Sequence, residues 1–524
     1  MDEREETGLP QRRTRTGWGP GLSSGATASV ADWIVHPPLF AVGMVLLWAL
    51  VAWGINTAQY GDHLEQFSWA QSLEWGYHKH PPLPTWLLGS AVRAFGLHPW
   101  WPTLLAALCI ALNLLLTWRI GCWLLDRPRA ALAVLLAGLQ QGFAAKSQLF
   151  NHNSVMVACI SLAVWLALRA AARPERLGRW VALGLAAGLA LLAKYQSALP
   201  LLGVLVALGL SGGLAGAAAR RGAVLAVVLA LALFVPHLLW VAEHGWTTLA
   251  YASQSGVSLT PLQRLRSLLS FLVIQLRIVA PALVLLALLH WRLRAAAVQT
   301  EGEAPAAAAA FRRGWLIGLV GVPVAGVVIA SLLGGLKLQD HWGIQTFQYL
   351  GLGLAALWPA GRRLDVPRAV VMALMLHLLW FAEYASPRLL PQLSSGRARV
   401  DQFHPAEAMA RTVEQAWQAA VGDCPLRYVR GPNFESGLIG VYGHEQAAML
   451  DIGVPPPPWL DREALRRDGH VAVRLDEPPV QDEWAPGAVI RGQWSFDVPG
   501  QRNPARSTLH WMIVPPAGGC GTAR

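Results

Sequence analysis

The sequence predicts a polytopic α-helical membrane protein with about eleven spanning helices and a C-terminal α/β domain. Of its 524 residues, 54% are hydrophobic and only 14% are charged, a composition far outside the average of soluble globular proteins. Apolar runs recur along most of the chain, each close to the roughly 20 residues that cross a bilayer core. These runs cover residues 37–55, 101–125, 222–240, 266–290, 314–333 and 367–385. One run would predict an anchor, but this series predicts that the membrane domain is the main body.

The N-terminal segment, residues 1–36, is polar and arginine-bearing and leads into Pro37-Pro38 and a full-length apolar run. It has no clear small-residue cleavage site, so we expect a retained first helix and not a signal peptide. The net charge of +11 is carried by arginine clusters between the apolar runs, which is a pattern of membrane topology. We therefore expect contacts with membrane lipids and no nucleic-acid partner.

The arginine clusters predict how the helices are oriented. Successive clusters are separated by enough apolar chain for two crossings, as between Trp180 and Ala219, at about 20 residues per crossing. All clusters can then face one side, and the positive-inside rule places that side, together with the N-terminus, in the cytoplasm. Eleven spans follow, and the C-terminus lies outside.

The alternate connections are then predicted to lie on the outer face. They comprise residues 56–100, 146–152, 194–197, 241–265 and 335–342, followed by the tail. The chain has four lysines, and all of them fall in or beside these loops: Lys79, Lys146, Lys194 and Lys337. The positive-inside rule predicts the opposite placement. Chance in an arginine-rich chain is one interpretation, and cations gathered to hold an anion at the outer surface are the other.

From residue 387 the chain is charged, proline-rich and strand-forming, in stretches such as PLRYVRG, HVAVRLD, AVIRGQWSFDV and STLHWMIVPP. An amphipathic helix is predicted over residues 404–421 from its apolar stripe. The stripe consists of Ala406, Met409, Ala410, Val413 and Trp417. The length suits a small α/β domain, residues 387–524. Cys424 and Cys520 both fall in this domain, and an oxidising compartment favours a disulfide between them.

The first predicted outer loop, residues 56–100, contains the stretch YGDHLEQFSWAQSLEWGYHKHPPLPTW, which is dense in titratable groups. Asp62 and Glu65 are three residues apart and would share one face of a helix. The same spacing is typical of an N-cap with its capping partner, and HPPLPTW is also typical of a polyproline entry into a membrane helix. Spacing alone therefore leaves capping and catalysis both open.

Further polar groups occur in the other predicted outer connections. The stretch AAKSQLFNHNS carries Lys146, Asn151, His152 and Asn153, LLAKYQSAL carries Lys194 and Tyr195, and LKLQDHWGIQTFQY carries Lys337, Asp340, His341 and Trp342. Each alone is explained by snorkelling lysines, interfacial aromatic residues or helix caps. Their accumulation on one predicted face favours a site, because ionisable groups near a bilayer usually line a pathway or a site.

The stretches LEWGYHKHPPLPTWL, LFNHNSV, GLALLAKYQSAL and QDHWGIQ, which follow an acid shortly after the first span, resemble the GT-C glycosyltransferases of family 39 over residues 35–385. That group is related to the dolichyl-phosphate-mannose protein mannosyltransferases and to the bacterial aminoarabinose transferases acting on lipid A. The family often has an Asp-Glu pair in this loop, whereas this chain has Asp62-His63 with Glu65 further on. The resemblance implies a GT-C-like domain, residues 37–386, in the bacterial inner membrane, and a periplasmic C-terminal domain.

The resemblance also implies transfer of a sugar, with inversion, from a polyprenyl-phosphate carrier to an envelope acceptor on the periplasmic face. The acceptor hydroxyl must lose its proton to a carboxylate, and we expect Asp62 to be this base, with Glu65 assisting or only shaping the loop. The leaving phosphate gains negative charge, which cations stabilise. For this role we expect Lys194, Lys146 and His341, with Lys79, His80 and Lys337 behind them.

Several alternatives stay open at this point. Asp62, Glu65, His78 and His80 are of the types that bind divalent metals, but their spacing matches no standard motif, so no cofactor is predicted and a metal stays an alternative. A transporter or flippase of a lipid-linked sugar would also have many spans and outer cations, although no internal repeat is evident. A non-catalytic envelope protein would use the outer domain for binding. The sequence identifies neither the sugar nor the acceptor, which is a lipid, a glycan or a protein.

Overall fold

The computed structural model describes residues 36–253, 259–292, 306–359, 364–390, 400–485, 487–499 and 506–518. The predicted N-terminal tail lies outside the described residues up to residue 35. The helices of the first part are α1 (Pro37–Ile55), α2 (Gly61–Trp69), α3 (Leu83–Phe95), α4 (Trp101–Leu124), α5 (Arg127–Gly138), α6 (His152–Ala171), α7 (Leu177–Ala193), α8 (Ala198–Leu210), α9 (Ala217–Glu243), α10 (Thr247–Ser253), α11 (Pro261–Arg292), α12 (Ala306–Leu316), α13 (Val322–Leu332), α14 (Gly343–Thr346), α15 (Leu350–Ala356) and α16 (Val366–Leu389).

Seven helical segments among the described residues are long and apolar enough to cross a membrane. They are α1, α4, α6, α9, α11, α16 and the unit Ala306–Leu332, in which a π-helical turn joins α12 to α13. Two shorter apolar helices cover Leu177–Ala193 and Tyr195–Leu210. The apolar runs predicted from the sequence all lie in long helices, so the predicted multi-pass helical membrane domain is confirmed. The total of eleven spans stays a prediction.

The turn after α7 is held in place by close packing between α7 and its neighbours α6 and α9. Gly184 of α7 faces α9, and a Cβ atom there would lie 2.7 Å from the carbonyl oxygen of Ala226. Small residues allow helix backbones to approach closely in membrane bundles. The backbone contact therefore fixes α7 against α9, and with it the turn at its C-terminal end, where Lys194 follows Ala193.

The C-terminal domain is an α/β structure built from α17 (Ala406–Val421), β1 (Tyr428–Gly431), α18 (Asn433–Tyr442), β2 (Ala448–Asp451), α19 (Arg462–Asp468), β3 (His470–Leu475), β4 (Ile490–Asp497) and β5 (Arg506–Val514). The sheet has the order β2-β1-β3-β5-β4. β1 pairs in parallel with β2 and β3, while β5 is antiparallel to β3 and β4. The α16 helix runs to Leu389, slightly past the predicted domain boundary at residue 386.

The predicted elements of this domain are confirmed, and the structure adds strand β2 and the helices α18 and α19. The four strand-forming stretches become β1, β3, β4 and β5, and the apolar stripe of α17 is buried. Strand β2 was not predicted, because its sequence, AMLD, lacks the β-branched and aromatic residues that signal a strand.

Cys424 is buried and disulfide-bonded. Cys520 lies outside the described residues, so the pairing of these two cysteines stays a prediction.

Candidate active site

A cavity of about 890 Å³ gathers residues from all five predicted outer connections. They contribute Asp62, Lys146, Lys194, Tyr251 and His341, in chain order. Of the predicted site residues, the cavity is lined by Asp62, Glu65, Lys79, His80, Lys146, Lys194 and His341. Lys337 is exposed and is not part of the cavity wall. The loops were grouped from sequence by their predicted side of the membrane, and the structure brings their polar residues into one place.

Asp62 does not cap its helix. The N-cap of α2 is Tyr60, and it makes no side-chain capping hydrogen bond, so Asp62 lies inside the first turn. Its carboxylate is exposed to the cavity, where Oδ2 accepts a hydrogen bond from Nδ2 of Asn151 at 2.8 Å. The capping interpretation of the Asp62 and Glu65 spacing is therefore wrong. Asp62 is a carboxylate that reaches the cavity and has a specific partner there.

Asn151 is oriented by the start of α6. Its Oδ1 accepts hydrogen bonds from the backbone N–H groups of Asn153 and Ser154, at 2.8 and 3.4 Å, and Ser154 Oγ accepts from the Asn151 N–H in return. This reciprocal pattern is a capping box. Because Oδ1 is occupied by backbone donors, the amide group of Asn151 directs its N–H to Asp62.

Lys194 is a buried cation with a neutral partner. The side chain is 5% exposed, and Nζ donates to Oδ1 of Asn153 at 2.7 Å. Burial lowers the pKa of Lys194 from 10.5 to about 8, opposed only by the charge of Asp62. No ion pair within 4.0 Å joins Lys194 to a carboxylate among the described residues. A buried charge without an opposite charge is costly, and an anion in the cavity would relieve this cost.

Lys79 and Glu65 form an ion pair at the edge of the cavity. Burial raises the pKa of Glu65 even though Lys79 lowers it. For Lys79, burial lowers the pKa, but the charge and hydrogen bond of Glu65 outweigh this, so its pKa lies above the usual value. The ammonium group also lies 5.7 Å from the ring centre of Tyr251. Glu65 thus neutralises most of the positive charge of Lys79. Glu65 is therefore not a free base, and Lys79 is not a free cation for binding an anion.

We expect Lys79→Met to lower the stability of the protein in a pH-dependent manner. Removing the ammonium leaves the largely buried Glu65 carboxylate without its counter-charge. Because the Lys79 side chain is 29% exposed, the cost is about 1–3 kcal/mol, between the values for exposed and fully buried pairs. Glu65 can escape this cost only by protonation, so the loss grows as the pH rises through its raised pKa and is small below it. Thermal unfolding in detergent at pH 5 and pH 8 measures this difference. The double variant Lys79→Met with Glu65→Gln should recover most of the stability at pH 8, and a loss equal at both pH values would contradict the pairing.

The two predicted histidine ligands of the phosphate are neutral in the free protein. Burial, reinforced by His152 and Lys194, holds the pKa of His80 well below its usual value. Desolvation by surrounding protein, reinforced by Lys194 and Lys146, also lowers the pKa of His341. A neutral imidazole donates one hydrogen bond but supplies no charge. Lys194 and Lys146 are the other two lysines that line the cavity.

A buried histidine joins the first loop to the start of α6. The Nε2 atom of His63 accepts a hydrogen bond from the Phe150 N–H at 2.7 Å, so its Nδ1–H is directed to Oε1 of Gln59. Burial lowers the pKa of His63 to about 3, which keeps the ring neutral at physiological pH. Asp62 and Asn151 are the chain neighbours of this contact, and their mutual position is fixed by it.

The metal alternative rested on Asp62, Glu65, His78 and His80, which are of ligand type. Within the described ranges, no group of three or more His, Cys, Asp and Glu side chains is arranged to hold a metal ion. Of the four candidate ligands, Glu65 is engaged by Lys79 and Asp62 by Asn151.

Sequence reasoning missed several residues of the cavity wall. Gln140, Gln141, Gln275 and Tyr251 line the cavity, and Gln275 donates to the Asp340 carbonyl at 2.8 Å. The glutamines interrupt long apolar runs, which is a signal for a pathway or site inside a membrane domain. Tyr251 lies in a connection with no motif of its own, and only the folded chain brings its ring to within 5.8 Å of the ring of His80.

Comparison with known proteins relates part of the chain to sugar transferases. Residues 79–240 match the family model described as dolichyl-phosphate-mannose-protein mannosyltransferase. The undecaprenyl phosphate-α-4-amino-4-deoxy-L-arabinose arabinosyl transferase 2 of Pseudomonas fluorescens is 28% identical over 238 residues, covering 43% of this chain and 40% of that protein. The lipid A galacturonosyltransferase RgtD of Rhizobium johnstonii is 27% identical over 250 residues, covering 45% of this chain and 50% of that protein. The chain thus spans half or less of the length of these relatives.

The fold likeness extends over nearly the whole chain. The crystal structure of ArnT from Cupriavidus metallidurans bound to undecaprenyl phosphate aligns with a TM-score of 0.58 and 14% identity, covering 92% of this chain and 98% of that one. The chain therefore shares the fold of this ArnT structure. The likeness confirms the expected GT-C-like fold, in which a C-terminal sheet domain follows the helical bundle.

Proposed function

We propose that this protein is an integral membrane glycosyltransferase that moves a sugar from a polyprenyl-phosphate carrier to an envelope acceptor. The observation that carries the proposal is the arrangement around the start of α6. Asn151 binds the cavity carboxylate of Asp62, and Asn153 binds the buried ammonium of Lys194. A base and an anion-binding cation therefore face one cavity from fixed positions, which is what transfer from a phosphate leaving group requires.

The proposed reaction is a single displacement at the anomeric carbon. Asp62 takes the proton of the acceptor hydroxyl as its oxygen forms a bond to that carbon. The bond between the anomeric carbon and the phosphate oxygen breaks, and the carrier phosphate leaves with the electron pair. Lys194 stabilises the charge that develops on this phosphate, with Lys146 nearby on the cavity wall. One displacement inverts the configuration of the sugar.

The substrates are proposed from the chemistry of the cavity and from the relatives. A polyprenyl carrier keeps its hydrocarbon tail in the bilayer, which suits a cavity formed at the ends of membrane helices. The relatives are named as transferases of aminoarabinose from undecaprenyl phosphate and of galacturonic acid to lipid A. We accordingly propose a lipid-linked pentose or hexose as donor and lipid A, another envelope glycan or a protein as acceptor.

The arginine clusters support a proposal for the orientation. We propose that the protein lies in the bacterial inner membrane with the N-terminus in the cytoplasm and the cavity and C-terminal domain, residues 387–524, in the periplasm. The helical domain, residues 37–386, then contains the site, and its first outer loop, residues 56–100, supplies Asp62 and Glu65.

The test is the fate of a labelled donor. Purified protein in proteoliposomes with a radiolabelled polyprenyl-phosphate sugar should transfer label to an added lipid A or lipopolysaccharide fraction or release it to water. A flippase would move the intact lipid between leaflets and leave the sugar attached. Movement of intact donor without cleavage would overturn the transferase and favour the transporter.

A further inference from the structure

The C-terminal domain contacts the helix that carries Asp62. α18 packs on α2, and Leu64, which is completely buried, lies against Gly437 of α18. A Cβ atom at Gly437 would be 2.6 Å from the Cβ atom of Leu64. Glycine at this position therefore sets how closely the two helices approach.

Both ends of α2 are also attached to the C-terminal domain. Before the helix, the N–H groups of Thr57 and Ala58 donate to the Gln402 carbonyl at 2.9 and 3.0 Å. After the helix, the side chain of Gln71 bonds the main chain of Met449 twice: Oε1 accepts from its N–H and Nε2 donates to its carbonyl, each at 2.9 Å. Met449 belongs to β2, the edge strand of the sheet, and Gln71 occupies its outer hydrogen-bonding groups.

The membrane domain contacts the same helix through hydrogen bonds. Tyr60 lies 3.0 Å from the Tyr384 hydroxyl, oxygen to oxygen, and accepts from Gln148 at 3.1 Å. His63 accepts from the Phe150 N–H. α2 has only nine residues, and isolated helices shorter than about 12–15 residues are marginal in water. Its position must therefore be set by these contacts and not by its own stability.

We propose that the C-terminal domain is a positioning element for the Asp62 carboxylate, with Gly437 and Gln71 as the positioning residues. It presses α2 against the membrane domain and thereby sets the distance from the carboxylate to the acceptor hydroxyl. A base must lie within hydrogen-bonding reach of the proton it removes, and a displacement of about 1 Å can cost 100-fold in rate. The effect on rate rests on the proposed function, whereas the effect on α2 does not.

Two variants and a matched control test this proposal in the full-length protein. Gly437→Ala and Gln71→Ala disturb the contact with α2. Gly492→Ala is the control, because a Cβ atom there also collides, with the Trp511 ring, but on β4 at the opposite edge of the sheet. Hydrogen–deuterium exchange should show at least tenfold faster exchange in residues 61–71 for the two test variants and no change there for Gly492→Ala. Unchanged protection in the test variants overturns the proposal, whether or not the protein transfers sugar.

The rate measurement decides what the contact does. In the transfer assay, the two test variants should lower kcat at least tenfold while the Kd for the lipid-linked donor, set at Lys194, stays within twofold. The Gly492→Ala variant should keep the wild-type kcat. If exchange in residues 61–71 rises but kcat does not fall, the domain braces the loop without positioning Asp62, and this inference is overturned. If wild-type protein cleaves no donor, the proposed function fails, and the exchange result alone decides the contact.

Discussion

Replacement of Asp62 by Asn is expected to lower sugar transfer by about 100- to 10,000-fold, the range of a lost general base. The amide has the size of the carboxylate but cannot accept the proton of the acceptor hydroxyl. Because Asp62 lies inside the first turn of α2 and does not cap it, the fold should be unaffected, and thermal stability should stay near the wild-type value. Binding of the lipid-linked donor should also persist, since Lys194 is unchanged. Single-turnover transfer and donor binding, measured separately, check both expectations.

A matched control is available in Asp126, a carboxylate that does cap a helix. Its side chain accepts from the Arg129 N–H at the start of α5. Asn is also a good N-cap residue, so Asp126→Asn should retain both activity and stability. Wild-type transfer in Asp62→Asn would exclude Asp62 as the base.

Replacement of Lys194 by Met is expected to weaken donor binding by about 100-fold or more, because a hydrogen bond to a charged group contributes about 1.5–3 kcal/mol and the phosphate also loses the Coulomb attraction. The same change should not lower stability. At about 1.4 kcal/mol per pH unit, a pKa near 8 instead of 10.5 disfavours the charged form of this buried lysine by about 3 kcal/mol. A methionine removes that cost, so the thermal midpoint of the free protein should be equal or higher.

The pH dependence of binding provides a second measurement for Lys194. A bound phosphate raises the pKa of the ammonium above its free value of about 8. Affinity should therefore be constant well below pH 8 and fall by up to tenfold for each pH unit above it. The donor is a phosphodiester with one fixed charge in this range, so its own titration does not interfere. Lys194→Arg should flatten the profile, because the guanidinium stays charged.

Lys337 is the control for these measurements. It lies in one of the same predicted outer loops but is exposed and does not line the cavity. Lys337→Met should leave the donor affinity within twofold of wild type. Equal losses in the Lys194 and Lys337 variants would indicate a general surface charge effect and would remove Lys194 from the phosphate site.

The membrane domain could be predicted from the sequence because the bilayer imposes length and polarity on each helix. The long apolar runs, such as residues 37–55, match their helices closely. The short helices α5, α14 and α15 could not be counted with certainty, because they are buried against neighbours and lack the length that identifies a span. Strand β2 was missed for a related reason, since only its place beside β1 makes it a strand.

Most of the charged residues that line the cavity were predicted from the sequence, but their pairing was not. Charge and loop position brought Lys194 into the predicted site, whereas Asp62 was assigned as the base through the family resemblance. The sequence features could not show that Glu65 neutralises Lys79. These two residues lie on opposite sides of a turn that no spacing rule describes. The hydrogen bonds of Asn151 to Asp62 and of Asn153 to Lys194 could not be predicted either. An Asn at the start of a helix predicts a cap and not a contact with a distant side chain.

The contact between Gln71 and Met449 also bears on how the C-terminal domain can meet other proteins. An exposed edge strand is a template for extended polypeptides, which many domains capture by adding a strand to the sheet. Here the outward N–H and carbonyl of Met449, in a strand of only four residues, are already occupied by a side chain of the same protein. This edge is therefore closed to strand exchange, both with partner peptides and with other copies of the domain.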